Sequence, residues 1–295
     1  MTARGVLGDY WSLTKPRIWG LLVFTGVVAM LVAFKETPGA SLTPALFATG
    51  TIALVLGSAG AEVLTNYHDR DIDSMMKRTM KRALPSGRIR PSSALVFGLA
   101  MAALSVLVPL FLINSLSAGF MLVGLIDNIV VYSLITKRKS WLNIILGGVS
   151  GGMPVLVGYT AVAGAVSPIA VYMSALVIVW IPTHIWSLAI FNRKDYETAR
   201  VPMLPIVFGD RVASICVAGT SALLAVFSVA IFLFTPNVSI FYTLTALVLG
   251  GVVLAYSAKL ALTQSNRTAW TLFKLTSPYL TVIFFVLGLT VWVAA

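Results

Sequence analysis

The 295-residue chain is 58% hydrophobic and only 11% charged, which leaves too few polar side chains to cover a water-soluble globule of this length. Its net charge of +11 would suit a nucleic-acid surface only if the cations gathered on one water-facing segment, and they do not. The single cysteine, Cys216, lies inside an apolar run, so no disulfide framework is expected and the thiol reads as an inert packing group.

Apolar runs close to the ~20 residues that one helix needs to cross the hydrocarbon core recur along the whole chain. In order they cover 18–34, 43–64, 93–113, 116–136, 142–160, 166–190, 212–235, 238–258 and 275–294. Arg4, Lys15 and Arg17 precede the first run, and no small-residue cleavage site follows it, so it is expected to remain as a first helix. The odd-numbered connections are short and nearly uncharged, whereas the even ones are basic. Arg70, Lys77, Lys81 and Arg90 lie after the second run, Lys139 after the fourth, Arg193, Lys194, Arg200 and Arg211 after the sixth, and Lys259, Arg267 and Lys274 after the eighth. Of 21 Lys and Arg, 20 fall on this one side and only Lys35 on the other. The positive-inside rule therefore places the N-terminus in the cytoplasm and, after nine crossings, the C-terminus outside. The fold expected is all-α: a polytopic nine-helix membrane protein of the inner or cytoplasmic membrane, with 1–295 as one intramembrane domain. The long polar inside regions 66–92 and 191–211, with a shorter one at 137–141, are expected to carry the chemistry.

The first of these regions opens on Asn66, His68, Asp69, Asp71 and Asp73. If the second helix continues through it, Asn66, Asp69 and Asp73 fall on one face while Asp71 points away. Two carboxylates and an amide oxygen so stacked suit a hard cation such as Mg²⁺, which takes oxygen ligands and is often completed by substrate phosphates. A solvated helix end is the plainer explanation of such a cluster. Lys77, Arg78, Lys81, Arg82, Arg88 and Arg90 follow at once, however, and guanidinium and ammonium groups beside a carboxylate metal site read as a grip on diphosphate. Some of these cations, such as Arg88 and Arg90, are expected only to touch anionic lipid.

The spacing of Asn66, Asp69 and Asp73 resembles the first aspartate motif of the UbiA superfamily of intramembrane prenyltransferases. The longer run through Met76, Arg78, Thr79, Arg82, Leu84, Pro85, Ser86, Gly87 and Arg88 is similar to its heme-farnesylating branch, the heme O synthases. Lys15-Pro16-Arg17, Lys137-Arg138, Asn143, Pro154, Pro182 with His184 and Trp186, and Asp195-Tyr196 followed by Pro202 and Pro205 agree with that branch, so the resemblance covers roughly 13–211. Ala83 stands where the branch usually has proline, and the second acidic motif is reduced to Asp195 with Glu197 beside it.

The resemblance implies farnesyl diphosphate and heme B as substrates, Mg²⁺ as cofactor, the lipid bilayer as surroundings, and heme A synthase or terminal oxidase assembly downstream. It implies Asn66, Asp69, Asp73 and Asp195 as catalytic, the first three of them holding the metal. Arg78, Arg82, Lys137 and Arg138 then neutralise the leaving group, and Tyr196 closes the site from the other half. The two histidines, His68 and His184, are candidates for transient contact with heme iron. Prenyl transfer to another aromatic acceptor is the nearest competing reading. An ion-coupled transporter using Glu62, Asp127 and Asn128 is the reading from another class; it is weaker because the polar residues mass at one interface. Gly147, Gly148, Gly151 and Gly152 have the small-residue spacing of tight helix contact.

Overall fold

The structure, a computed structural model, describes residues 3–233 and 239–293. Among them, nine helices are long and apolar enough to cross a membrane. In chain order the elements are α1 (Ala3–Leu13), α2 (Pro16–Glu36), α3 (Pro44–His68), α4 (Arg70–Met75) and α5 (Pro91–Leu112). Then come α6 (Ser115–Ile126), which runs on as a π-helix over Asp127–Thr136, α7 (Asn143–Leu146), α8 (Val149–Ala163) and α9 (Pro168–Phe191). The chain ends in α10 (Arg193–Thr198), α11 (Leu204–Val229), α12 (Ile240–Thr263) and α13 (Asn266–Val293). The turn expected around Pro236 and Asn237 lies outside the described residues.

Helix starts follow local chemistry. Thr43 and Ser167 each precede a proline at the first helical position and accept a hydrogen bond from a backbone N–H of the first turn, Leu46 (3.1 Å) and Ala170 (3.3 Å). Asn114 does the same for α6, its Oδ1 accepting from Ser117 N at 2.8 Å.

The long helices close into a ring in which α3, α5, α6, α8, α9, α11, α12, α13 and α2 each pack on the next, and α2 returns to α3. The ring is not hollow, because α2 also lies against α8, and α13 against α9. Buried residues such as Met30, Leu54, Met173, Leu176, Tyr242 and Phe284 fill it, while Leu99, Phe111, Val226 and Val248 stand exposed on its outside. An outer wall of that kind requires hydrocarbon around it.

Lys35, near the end of the first span, lies 4.5 Å over the ring of Trp292 near the end of the ninth. These two ends therefore share one face of the molecule, as the eight crossings between them demand. The α2–α8 crossing depends on glycine: a Cβ on Gly158 would sit 2.1 Å from the Gly26 carbonyl oxygen. Gly158→Ala should destabilise the protein by about 3 kcal/mol, the upper range for overpacking, read as a fall in the detergent-solubilised melting temperature. An unchanged melting point would show that the crossing can widen freely.

Two spans begin earlier than hydropathy suggests. The seventh starts at Leu204 and not at 212, so 204–211 are helical and not loop; the ninth starts at Asn266 and not at 275. Arg211, Arg267 and Lys274 lower the hydropathy of these first turns without breaking the helix. Within α11 the helix is interrupted at Gly209 (φ 80°, ψ 167°), a conformation essentially confined to glycine. The N-terminal segment, read only as a basic stretch, forms α1, whose Leu7 and Trp11 are exposed.

Candidate active site

Helix α3 ends at His68 and α4 begins at Arg70, with Asp69 between them at φ −87°, ψ 2°. The backbone nevertheless keeps helical hydrogen bonds through the junction, Asp69 N to Thr65 O (2.9 Å) and Asp73 N to Asp69 O (2.8 Å). That near-continuity gathers Asn66, Asp69 and Asp73, only 3%, 4% and 5% exposed, on one side. Buried carboxylates need compensating charge, and each finds a cation.

Lys137 Nζ pairs with Asp69 Oδ2. Arg82 Nη1 donates to Asp73 Oδ2 at 2.8 Å and to Asn66 Oδ1 at 3.4 Å. Asn66 Nδ2 donates in turn to the Leu13 carbonyl (2.7 Å), tying the motif to the end of α1. Asp71 faces outward and holds Arg138 in a two-point grip at 2.7 Å on each oxygen. The bound guanidinium keeps its carboxyl down at about 2. One turn before Asn66, Glu62 pairs with Lys15 at 2.7 Å. Lys15 adopts φ +53° to make the bend between α1 and α2.

The π-helical stretch sets the position of Lys137. Its N–H bonds to Tyr132 O five residues back (2.8 Å), and its Nζ lies 5.1 Å over the Tyr132 ring. The ammonium is thus held between an aromatic face and Asp69, a use of π-geometry common at functional sites. Gly147 makes room for that ring, since a Cβ there would lie 2.6 Å from Tyr132 Cβ. The other glycines of this span face α9, where Cβ atoms on Gly151 and Gly152 would meet Ile181 at 2.3 Å and Ser174 at 2.5 Å, so tight packing accounts for them. Asp127 is not an isolated charge in lipid: its Oδ2 accepts from Ser150 N (2.7 Å) at the start of α8. Asn128 Oδ1 accepts from Thr65 Oγ1 at 3.0 Å.

The remaining candidates are dispersed. Arg78 is exposed on the loop surface. Asp195 and Tyr196 are half-buried on α10, and Tyr196 stands within electrostatic range of Tyr132 and Lys137, which brings the second half toward the first. His68 Nε2 is buried beside the acidic motif without a hydrogen-bond partner among the described residues. His184 sits between the rings of Trp180 and Phe273, both 4.4 Å away and stacked, with Nδ1 2.7 Å from Thr276 Oγ1. These partners belong to α9 and α13 and not to the acidic motif. Residue types alone singled out the carboxylates, but Tyr132 and Lys15 needed the folded chain; the Lys15-Pro16 step at the entrance to the first span was the available signal.

Below the motif lies a cavity of ≈ 60 Å³ at membrane depth. Leu22, Leu54, Met121, Met153 and Val157 make its apolar wall, and Glu62, Ser58, Asn128 and Ser150 its polar one.

Among the described residues, no group of three or more His, Cys, Asp and Glu could by itself enclose a metal. The acidic motif still fits a divalent cation shared with a substrate. Among the described residues Asp69 Oδ1 is buried with no hydrogen-bond partner, and a carboxylate oxygen is a ligand that Mg²⁺ takes.

The chain is similar to known proteins over nearly its whole length. The protoheme IX farnesyltransferase of Thermoplasma volcanium is 42% identical over 275 residues, covering 93% of this chain and 94% of the relative. That of Desulforudis audaxviator is 43% identical over 284 residues, covering 96% and 88%. Among solved structures, a UbiA homolog from Archaeoglobus fulgidus bound to GPP and Mg²⁺ superposes with a TM-score of 0.67 at 22% identity, over 94% and 98% of the two chains. An apo UbiA homolog from Aeropyrum pernix gives 0.70 at 18%, over 92% and 97%. The likeness reaches past the motif-bearing loops into the last three spans, since the family model matches residues 22–292, and the chain belongs to the UbiA prenyltransferase family.

Proposed function

We propose that this chain transfers the farnesyl group of farnesyl diphosphate to a vinyl group of heme B and adds one water, giving heme O and diphosphate, with Mg²⁺ as cofactor. The observation that carries this reading is the buried Asn66, Asp69 and Asp73 set, paired with Lys137 and Arg82, on the helix whose preceding turn, at Glu62, lines a largely apolar cavity. The substrate pair comes from the names of the relatives at about 40% identity. Bound Mg²⁺ supplies positive charge that holds the diphosphate against the carboxylates.

This chain's residues do the rest. Lys137 and Arg82, exchanging carboxylate for phosphate oxygens, neutralise charge as the allylic C–O bond breaks. Leu22, Leu54, Met121 and Met153 keep bulk water from the allylic cation. The cavity is far smaller than the roughly 300–1,000 Å³ of pockets that enclose organic ligands, so substrate entry requires the flexible methionines and their helices to give way. Asp195 and Tyr196 approach from the second half. Of the two imidazoles, His68, with an unpartnered Nε2 next to the motif, is the better placed to meet the iron. The site faces the cytoplasmic side of the cell membrane, where the even loops lie. Heme A synthase or terminal oxidase assembly is the downstream partner.

The test is to incubate the purified protein with Mg²⁺, farnesyl diphosphate and heme B and to look for the mass of the farnesylated heme, titrating heme separately into wild type and His68→Ala. Absence of that mass would overturn the reading. An unaltered heme absorption band in His68→Ala would remove the imidazole from it.

A further inference from the structure

From the placement of Glu62 on the cavity wall we infer that its carboxylate is the proton acceptor for the water that completes the reaction. This rests on the reading above and deepens it. Attack of the heme vinyl terminus on the farnesyl C1 forms a C–C bond, expels diphosphate and leaves a cation on the vinyl carbon next to the porphyrin. Water then bonds to that carbon through oxygen and must lose one proton, giving the hydroxyethylfarnesyl side chain. In water the solvent would take the proton; in a cavity walled by lipid-embedded helices an acceptor must be built in.

Glu62 is the one ionisable side chain among the residues that line the cavity. It lies one turn before Asn66 on the same side of α3, so it stands next to the place where C1 leaves its diphosphate. The Lys15 pair occupies Oε2 at 2.7 Å, and no partner is seen for Oε1 among the described residues. Of the other polar groups of the wall, Ser150 Oγ donates to Gly147 O (2.8 Å), Ser150 N donates to Asp127, and Asn128 Oδ1 accepts from Thr65, while Ser58 offers a neutral hydroxyl that holds an added proton far less well than a carboxylate. Asp127, the other carboxylate in the membrane interior, is spent on that backbone N–H.

A volume of ≈ 60 Å³ admits one or two waters, each of which takes about 30 Å³ in the liquid. Glu62 need not be a strong base despite its salt bridge, because water added to a carbocation is a far stronger acid than a carboxylic acid. An ionisable group at this depth is expensive unless used, and the Lys15 pair engages only one of the two carboxylate oxygens.

The experiment compares wild type, Glu62→Gln, Glu62→Ala and Glu62→Asp in the full chain with Mg²⁺, farnesyl diphosphate and heme B. Diphosphate release and the masses of hydroxylated and dehydrated farnesyl heme are followed separately. In Glu62→Gln and Glu62→Ala the hydroxylated-to-dehydrated ratio should fall at least about tenfold, the modest end of general-base effects, whatever the rate of diphosphate release. Glu62→Asp, which keeps the carboxylate, should retain the hydroxylated product. An unchanged ratio in the Gln and Ala variants, or a ratio in Glu62→Asp as low as in Glu62→Ala, overturns the role of Glu62 alone. A wild-type enzyme that makes no farnesylated heme overturns the prenyl-transfer reading, and this inference with it.

Discussion

Asp69→Asn and Asp73→Asn are each expected to lower turnover by at least on the order of 100-fold, the scale on which a preorganised electrostatic group acts, while the protein still inserts into the membrane. Both carboxylates are buried, and each change removes a charge from the set that would hold the metal and its diphosphate. They should differ in a second respect. Asp69→Asn strips the partner from Lys137, itself largely buried, and losing one member of a buried pair costs about 3–5 kcal/mol. Asp73→Asn leaves Arg82, which is one-third exposed and can turn to water.

Asp71→Asn is the control. Its carboxyl, held near 2 by Arg138, keeps its charge until the pH falls through about 2. A folded-state value below the unfolded one means the pair contributes above the ordinary carboxylate range and is lost on acidification, so it is intact at every working pH. Its 61% exposed side chain predicts activity within about twofold of wild type. Steady-state rates and thermal melts of the three variants decide; full activity in Asp69→Asn and Asp73→Asn would sink the metal assignment.

Lys137→Met should move two measurements in opposite directions. Turnover should fall on the order of 100- to 1,000-fold, because a cation beside the leaving diphosphate is lost. Binding of Mn²⁺ without diphosphate should tighten, because Lys137 no longer competes for Asp69 Oδ2. Calorimetric or paramagnetic-resonance titration with Mn²⁺ alone reads the second effect. If both fall together, Lys137 is a scaffold for the motif and not an exchangeable partner of the phosphate.

The bundle was legible in the sequence because hydropathy reports burial in lipid directly. Where helices carry polar turns, that signal fails. Leu204–Arg211 and Asn266–Lys274 read as loop, although backbone hydrogen bonding inside a helix does not depend on hydropathy. Helix α1, short and lying outside the spans, gave no run of the required length.

At the site, Asn66, Asp69 and Asp73 could be placed on one face from spacing alone. The cation on each carboxylate could not, since the Lys137–Asp69 and Lys15–Glu62 pairs join residues 68 and 47 positions apart. Nor does spacing reveal a π-helix, which shifts every later side chain around the axis and brings Lys137 over Tyr132. The surroundings of His184 were equally beyond spacing. A histidine near a site by hydropathy depth is here an aromatic-stack member between two helices.

The internal pairing of the acidic motif also separates metal loading from folding. In small zinc domains the metal is the core, and a chelator unfolds the chain. Here Arg82 and Lys137 already neutralise Asp73 and Asp69, and the ring of helices is held by packing that does not pass through the motif. On the proposed reading, a newly inserted chain therefore matures to its final shape without the cation and waits there, structurally complete, until Mg²⁺ and diphosphate arrive together.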